Sequence, residues 1–239
     1  MMLKQWLAPT RGPRPTTRPA FEQLENRLVP ALVGYELLVD NLYKDMLGRA
    51  SDDAGRAYYA GRLNSGTAWN SVVGEVMNSQ EGYQFRVKGA YQTFLGRAPD
   101  QGGLDYWAGF LARGGTFHQM AIQLCTSDEM FNRVGLGNNI SYVRALYLNV
   151  LGRDVDGGGL QHFTNQLASG KGREAVVTEI FTSPEWSQHW VDTSYVSILH
   201  RPADRSGESF WLAMMTAGKN EESVLRGMAI SPEYFNNNS

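Results

Sequence analysis

The sequence is short of the residues from which metal and redox centres are usually built. Cys125 is the single cysteine among 239 residues, which excludes an intrachain disulfide, and only four histidines are present. No cysteine or histidine cluster has the spacing of zinc ligands, and the H-E-x-x-H pattern of zinc proteases does not occur. We therefore expect no zinc site.

Long apolar runs and an excess of one charge are also missing. No stretch reaches the roughly 18 apolar residues that span a bilayer, so we expect no transmembrane segment. The net charge of −2 gives no general attraction to nucleic acid or to anionic membranes. Hydrophobic residues nevertheless make up 42 % of the chain, enough to form a core.

The first 33 residues differ from the rest in composition. They are rich in proline and arginine and poor in apolar residues, which predicts a disordered, basic leader over residues 1–33. Their one apolar stretch, residues 28–35, is short, late and interrupted by Pro30, unlike the core of a standard secretory signal. Composition alone therefore favours a cytoplasmic location.

One pattern is written four times along the remaining chain. It reads YQTFLGRAPDQGGLDYW from Tyr91 and YLNVLGRDVDGGGLQHF from Tyr147, with weaker copies from Tyr43 and Tyr195. The four tyrosines are separated by 48, 56 and 48 residues. Aspartate, two glycines, an aromatic residue and a Ser-x-Glu triplet recur at fixed distances after each tyrosine. This agreement indicates a unit that is built repeatedly.

The spacing of apolar residues within each copy is helical. Leu104, Trp107 and Leu111 fall on one helix face, and the next segment of each copy carries a broad apolar stripe. We predict an all-α fold of four tandem three-helix units of about 48 residues, packed as a helical array. Units 1 and 2 would cover residues 34–135, and units 3 and 4 residues 136–239. The longer 56-residue interval predicts a loop around residues 135–139 that splits the helix connecting units 2 and 3.

Several repeated residues are typical of helix ends. The serine of each Ser-x-Glu triplet would be an N-cap, with the glutamate in the first helical turn near the positive end of the helix dipole. A later glycine would close a helix in the left-handed conformation. The predicted cap residues are Ser79, Ser127, Ser183 and Ser231.

The repeated Leu-Gly-Arg-x-x-Asp stretch permits two interpretations. In a ligand site, the arginine would bind an anion and the aspartate would bind a metal or act as a base. In a folding element, the aspartate would cap the next helix, and the arginine would pair with it or cover open carbonyl groups. We favour the folding element, because a unit must be rebuilt in every copy. The residues concerned are Arg49, Asp52, Arg97, Asp100, Arg153, Asp156, Arg201 and Asp204.

The candidates for metal binding and catalysis are weak. Asp154 and Asp156 are the only nearby carboxylates in the stretch RDVDGGG, whereas a calcium loop needs six or so oxygen ligands. Cys125 occupies a position that is apolar in the other units, which predicts a buried thiol rather than a nucleophile. No nucleophile elbow or phosphate-binding loop is present. We therefore expect no cofactor and no enzymatic activity.

The motif Leu-Gly-Arg-x-x-Asp-x-x-Gly, followed by an aromatic residue and Ser-x-Glu, resembles the bacterial repeat family catalogued as domain of unknown function 4214. That family is itself similar to the linker domain of phycobilisomes. The resemblance covers about residues 35–235 and implies a module of an exported or surface protein, without catalytic residues or pigment. The stretch RPAFEQLENRLVPA, residues 18–31, separately resembles a leader of exported bacterial surface proteins. Both resemblances favour export over the cytoplasmic alternative.

The prediction is thus a non-enzymatic, exported or surface-associated repeat module that acts in binding or scaffolding. We expect proteins or surface polymers as its partners, and no nucleic acid. The alternative is a weak metal-binding or enzymatic role around residues 135–159, where the repeat is broken. A cleft with converging polar groups in that region would favour the alternative.

Overall fold

The computed structural model describes residues 34–238, and the leader predicted over residues 1–33 lies outside this part of the chain. All regular elements in the described part are helices, which confirms the all-α prediction. Within the same residues, no helix combines the length and the apolar character that crossing a membrane requires.

The helices follow the repeat. Unit 1 and its connection to unit 2 consist of α1 (Tyr35–Leu47), α2 (Asp53–Asn64), α3 (Trp69–Met77) and α4 (Gln80–Ala90). The rest of unit 2 consists of α5 (Gln101–Ala112) and α6 (Phe117–Thr126). Unit 3 and its connection to unit 4 consist of α7 (Asn139–Leu146), α8 (Gly157–Ala168), α9 (Arg173–Phe181) and α10 (Pro184–Ser194). The rest of unit 4 consists of α11 (Arg205–Thr216), α12 (Glu221–Ala229) and α13 (Pro232–Asn238).

The helix ends are formed by the residues that the repeat marks. The hydroxyl oxygens of the four predicted cap serines accept hydrogen bonds from the backbone N–H groups of Gly82, Met130, Trp186 and Tyr234, at 3.0 to 3.1 Å. Each bond satisfies a donor that the first helical turn leaves free. Gly66, Gly114, Gly170 and Gly218 all have positive φ angles, of 88, 93, 90 and 86°. The cap prediction is therefore confirmed in every unit.

The helix that carries the repeated tyrosine ends in a π-helical turn in units 2, 3 and 4, which the sequence did not predict. These turns are Tyr91–Leu95, Tyr147–Leu151 and Tyr195–Leu199. In unit 1 the corresponding residues stay within α1. The turn of unit 4 ends at His200, which adopts the left-handed conformation (φ 55°) that glycine adopts in the other units.

The connections between units differ in one place, as the spacing predicted. Helices α4 and α10 run directly into the π turns that begin units 2 and 4. Between units 2 and 3, a π turn at Met130–Val134 is followed by the non-helical residues 135–138, and α7 then begins. The ring of Phe131 packs on that of Tyr142 across this fold-back, with 5.3 Å between their centroids.

The predicted apolar stripes form the core. In α3, Val72, Val73, Val76 and Met77 are at most 3 % exposed, and the same positions of α6, α9 and α12 are buried apart from Leu225. Burial of these stripes is the main favourable contribution to folding, because it removes apolar surface from water.

The core consists of two clusters that pair the units in a way the sequence did not predict. One cluster contains the buried residues of units 2 and 3, and the other contains those of units 1 and 4. Helix α6 accordingly packs on α9, and α3 packs on α12. The first and last units are therefore in contact, so the array closes on itself.

Candidate functional site

The repeated arginine binds a glutamate that lies 32 residues later in the chain. In unit 2, Arg97 donates from Nε to Glu129 Oε1 at 2.6 Å and from Nη2 to Glu129 Oε2 at 2.7 Å. The same two-pronged pair joins Arg49 to Glu81, Arg153 to Glu185, and Arg201 to Glu233. A planar guanidinium matches a carboxylate in this geometry, so each pair fixes orientation as well as charge.

Each of these arginines also covers the repeated tyrosine. The guanidinium carbon lies 5.1 to 5.2 Å from the ring centroid of Tyr43, Tyr91, Tyr147 or Tyr195. Its Nη1 atom donates to the carbonyl oxygen of the next residue in the chain, at 2.8 to 3.0 Å. A cation over an aromatic face is attracted by the ring quadrupole. The arginine thus holds three neighbours at once.

The repeated aspartates cap α2, α5, α8 and α11. Their carboxylates accept hydrogen bonds from the backbone N–H groups of Gly55, Gly103, Gly159 and Gly207, at 2.8 to 2.9 Å. A Cβ atom on Gly55, Gly103 and Gly159 would lie only 2.7, 2.6 and 2.9 Å from the hydroxyl oxygen of the repeated tyrosine, and one on Gly207 would clash with that of Tyr195. Glycine is therefore repeated here because the tyrosine occupies the space of a side chain.

The structure corrects the predicted partner of the arginine. We expected the arginine to pair with the aspartate three residues later or to cover open carbonyl groups, and the contact with the aspartate is secondary to the pair with glutamate. It measures 3.5 Å for Arg49 and Asp52, 3.8 Å for Arg153 and Asp156, and 2.9 Å for Arg201 and Asp204. Among the described carboxylates, only Glu129 forms an ion pair with Arg97. The signal in the sequence was the fixed 32-residue spacing between arginine and glutamate.

The pKa values of three of the glutamates and of the tyrosines in these arginine junctions are shifted by their neighbours and by burial. Hydrogen bonds from the arginine hold the pKa values of Glu81, Glu129 and Glu185 below their ordinary value. Burial raises the pKa values of the four tyrosines above the ordinary value. Each arginine of a junction is paired with a glutamate, and each aspartate accepts from a backbone N–H group in the same junction.

The candidates for metal binding and nucleophilic chemistry do not form a site together. The Asp156 carboxylate caps α8, whereas Asp154 is exposed and only its backbone carbonyl group accepts from Arg153. Within residues 34–238, no group of three or more His, Cys, Asp or Glu side chains could hold a metal ion. Cys125 is fully buried as predicted, and burial raises the pKa of its thiol.

The polar residues that break the repeat converge away from residues 135–159. His118 Nδ1 lies 2.9 Å from Glu221 Oε1, and Phe117 N–H donates to Glu222 Oε1 at 2.7 Å. In the described part of the chain, Arg86 Nε and Glu222 Oε2 are buried without a hydrogen-bond partner. Burial lowers the pKa of Arg86, and the charge of Glu222 partly offsets this effect. This central polar cluster joins unit 2 to unit 4, and the sequence gave no signal of it.

At one repeat position, the ring of every unit points into solvent. Tyr58, Tyr106 and Phe210 are 58, 58 and 44 % exposed, and the His162 side chain is 54 % exposed. All four lie fifteen residues after the repeated tyrosine. Each packs edge-on against the aromatic ring that follows it, with centroids 4.8 to 5.0 Å apart. The exposed ring quartet is therefore held in place by the core.

A depression of about 700 Å³ lies on the surface of α9. It is lined by Lys171, Glu174, Glu179 and small residues. Lys171 Nζ donates to Glu179 at 2.9 Å, so the charges that line it are partly paired with each other.

Comparison with known proteins agrees with this repeat geometry. Four successive segments, residues 33–85, 83–134, 121–189 and 186–238, match one family of unknown function. No curated protein and no solved structure matches the chain. The similarity to the phycobilisome linker domain stays a prediction. With matches along nearly all of residues 33–238, the chain belongs to the family described as Domain of unknown function (DUF4214).

Proposed function

We propose that this protein is a non-enzymatic helical module, exported or surface-associated, that acts in binding or scaffolding. The observation that carries the proposal is the exposed ring quartet, Tyr58, Tyr106, His162 and Phe210. Aromatic side chains supply large contact areas at low entropic cost, and they are enriched at binding surfaces. An exposed ring at the same position of every unit suits a partner that makes repeated contacts, such as a surface polymer or an extended protein.

The arginine junctions support a role without catalysis. The repeated arginine and glutamate are paired with each other in the same two-pronged geometry in each unit. Catalytic groups require a free functional atom aimed at a substrate. The repeated arginines and glutamates therefore stabilise the fold, and the exposed ring quartet provides the binding surface.

Binding can be tested by co-sedimentation with envelopes isolated from the source cells. We expect the wild-type protein to sediment with the envelopes. A variant with all four rings replaced by alanine should bind at least tenfold more weakly. The matched control replaces Gln101 and Arg205, exposed residues in the first turns of α5 and α11, with alanine. Equal binding by the ring variant and the control would contradict the proposal.

The class of partner follows from treating the envelopes before the assay. Protease treatment removes protein partners, and periodate treatment destroys glycan partners.

Export rests on the sequence of residues 18–31 and is tested separately, by locating the full chain in fractionated source cells. Recovery in the cytoplasmic fraction alone would overturn the exported location.

A further inference from the structure

The two halves of the chain, residues 34–135 and 136–238, are equivalent in the repeat. The intervals of 48 and 56 residues place each repeated residue of units 1 and 2 again 104 positions later, in units 3 and 4. Tyr43 thus corresponds to Tyr147, and Tyr91 corresponds to Tyr195. Two halves with the same repeated residues carry equivalent surface positions.

The halves meet through reciprocal contacts at the N-termini of α6 and α12. His118 contacts Glu221, and Phe117 contacts Glu222. Glu221 and Glu222 are the counterparts of Phe117 and His118 in the other half. Each residue therefore contacts the counterpart of its neighbour, which is the pattern of an interface with two-fold symmetry.

The flanking contacts follow the same rule. Trp69 Nε1 in α3 donates to the carbonyl oxygen of Ala229, at the end of α12, at 2.9 Å. Arg173, the counterpart of Trp69 in α9, donates from Nη1 at 3.1 Å to the carbonyl oxygen of Ser127, two residues beyond Cys125, which is the counterpart of Ala229. The two apolar clusters likewise join unit 1 to unit 4 and unit 2 to unit 3. Each half thus fits the other through matching surfaces.

A single non-helical connection, residues 135–138, joins the halves. Leu136 has a φ of 54° and is 72 % exposed, and Gly137 follows with a φ of 67°. A Cβ atom on Gly135 would lie 2.7 Å from the backbone oxygen of Phe131 and 2.9 Å from Tyr142 Cα, so the fold-back depends on glycine at this position. Inside each half, by contrast, α4 and α10 continue into the next unit without a loop.

We infer that two copies of this chain exchange halves, with residues 34–135 of one copy packed on residues 136–238 of the other. The partner is a second copy of this chain, and the hinge is the connection at residues 135–138. Every contact between halves outside residues 135–138 is then rebuilt between copies, and only the hinge changes conformation. Opening the hinge also releases Leu136 from a left-handed conformation that is unfavourable for a residue with a Cβ atom.

This inference goes beyond the proposed binding role, because it supplies the module with a route to self-association. The equilibrium between the closed monomer and the exchanged dimer depends on protein concentration and on hinge strain. A change in the hinge that disfavours the fold-back should therefore shift the chain towards the dimer.

The first test is the variant Gly135→Ala in the full chain, refolded at low and high concentration. Size-exclusion chromatography with light scattering would measure the masses. We expect the ratio of dimer to monomer to rise at least tenfold over the wild type, with unchanged helix content. The control is Gly89→Ala in α4, where an added Cβ meets no atom within 4 Å. A folded Gly135→Ala protein that stays monomeric at both concentrations would overturn the inference.

The second test does not depend on the hinge variant. Arg173 Nη2 and Asp128 Oδ1 form an ion pair between halves, at 2.6 Å. The variants Asp128→Arg and Arg173→Asp each place like charges at this contact in a closed monomer. In an exchanged dimer of the two variants, both contacts join opposite charges. Co-refolded variants with different tags should therefore form more mixed dimer than a co-refolded pair of tagged wild-type chains, and an equal yield would contradict half exchange.

Discussion

At the scale of single residues, the repeated pattern records one steric arrangement. The ring of Tyr91 is 6 % exposed, its hydroxyl group lies against Gly103, and its face is covered by Arg97. The carboxylate of Asp100 meanwhile accepts from the N–H group of the same glycine. These contacts connect the four residue types, so a substitution at one position disturbs the contacts of the other three.

The close approach of Tyr91 and Gly103 leads to a stability prediction. Gly103→Ala should lower the free energy of unfolding by about 1–3 kcal/mol, because the added Cβ would lie 2.6 Å from a buried hydroxyl group. Urea melts would measure the change. Gly89→Ala, in the open interior of α4, should instead stabilise by about 0.5–1 kcal/mol.

Tyr91→Phe, made in the Gly103→Ala protein, should recover part of the lost stability, since it removes the clashing oxygen. If Gly103→Ala is as stable as the wild type, the glycine is repeated for some reason other than space.

At the scale of helices, the arginine junction connects the end of one helix to the beginning of another. Arg97 follows the π turn Tyr91–Leu95, while its partner Glu129 lies in the first turn after the cap Ser127. The pair therefore fixes the end of one helix to the beginning of another within the same unit. Both side chains remain about one-third exposed, so solvent screening keeps the contribution of the pair modest.

A double-mutant cycle tests which carboxylate the arginine depends on. Arg97→Ala and Glu129→Ala should be coupled by about 1 kcal/mol, whereas Arg97→Ala and Asp100→Ala should be close to additive. Asp100→Ala by itself should cost about 1 kcal/mol through loss of the N-cap. Denaturant melts of the single and double variants supply these values.

The junction cycle also has a pH dependence with a defined sign. Arg97 lowers the pKa of Glu129 from its ordinary value of 4.5. The stabilisation is therefore complete above pH 4.5 and is lost as the pH falls through the lowered value of the folded state. Coupling that persists unchanged in strong acid would show that the contact is not an ion pair.

At the scale of the whole molecule, the closing contact between unit 1 and unit 4 carries a buried carboxyl group. The Asp45 side chain is 7 % exposed and accepts a hydrogen bond from the hydroxyl group of Tyr234 at 2.7 Å. His200 Nε2 lies 3.4 Å from the same carboxyl group. Burial is the main cause that raises the pKa of Asp45 above its ordinary value of 3.8.

Because the pKa of Asp45 is raised in the folded state, ionisation of this carboxyl group destabilises the contact between unit 1 and unit 4. Stability from this group is full below pH 3.8 and declines as the pH rises through the raised value. Asp45→Asn keeps a hydrogen-bond acceptor without the charge, so we expect a higher melting temperature than the wild type at pH 7 and a smaller difference in acid.

Asp40→Asn is the matched control, and we expect it to change the stability at pH 7 in the opposite direction. A hydrogen bond from Lys44 is the main cause that lowers the pKa of Asp40 to about 2. This variant should therefore be less stable than the wild type at pH 7, with the deficit shrinking as the pH falls towards 2. Thermal melts of both variants across this pH range would decide the matter, and a shift of the same sign in both would refute the argument.

The sequence by itself determined what is local. Four units, their helices, the aspartate and serine caps, the left-handed glycines and the loop around residues 135–139 all followed from spacing, because helix period and end chemistry involve residues close in the chain. Only the tertiary structure decided that Arg97 binds Glu129, that Tyr234 meets Asp45, and that His118 meets Glu221. These contacts join residues from 32 to 189 positions apart. The closing contacts occur once each, so no repeated spacing marked them, and they depend on how complete units pack on one another.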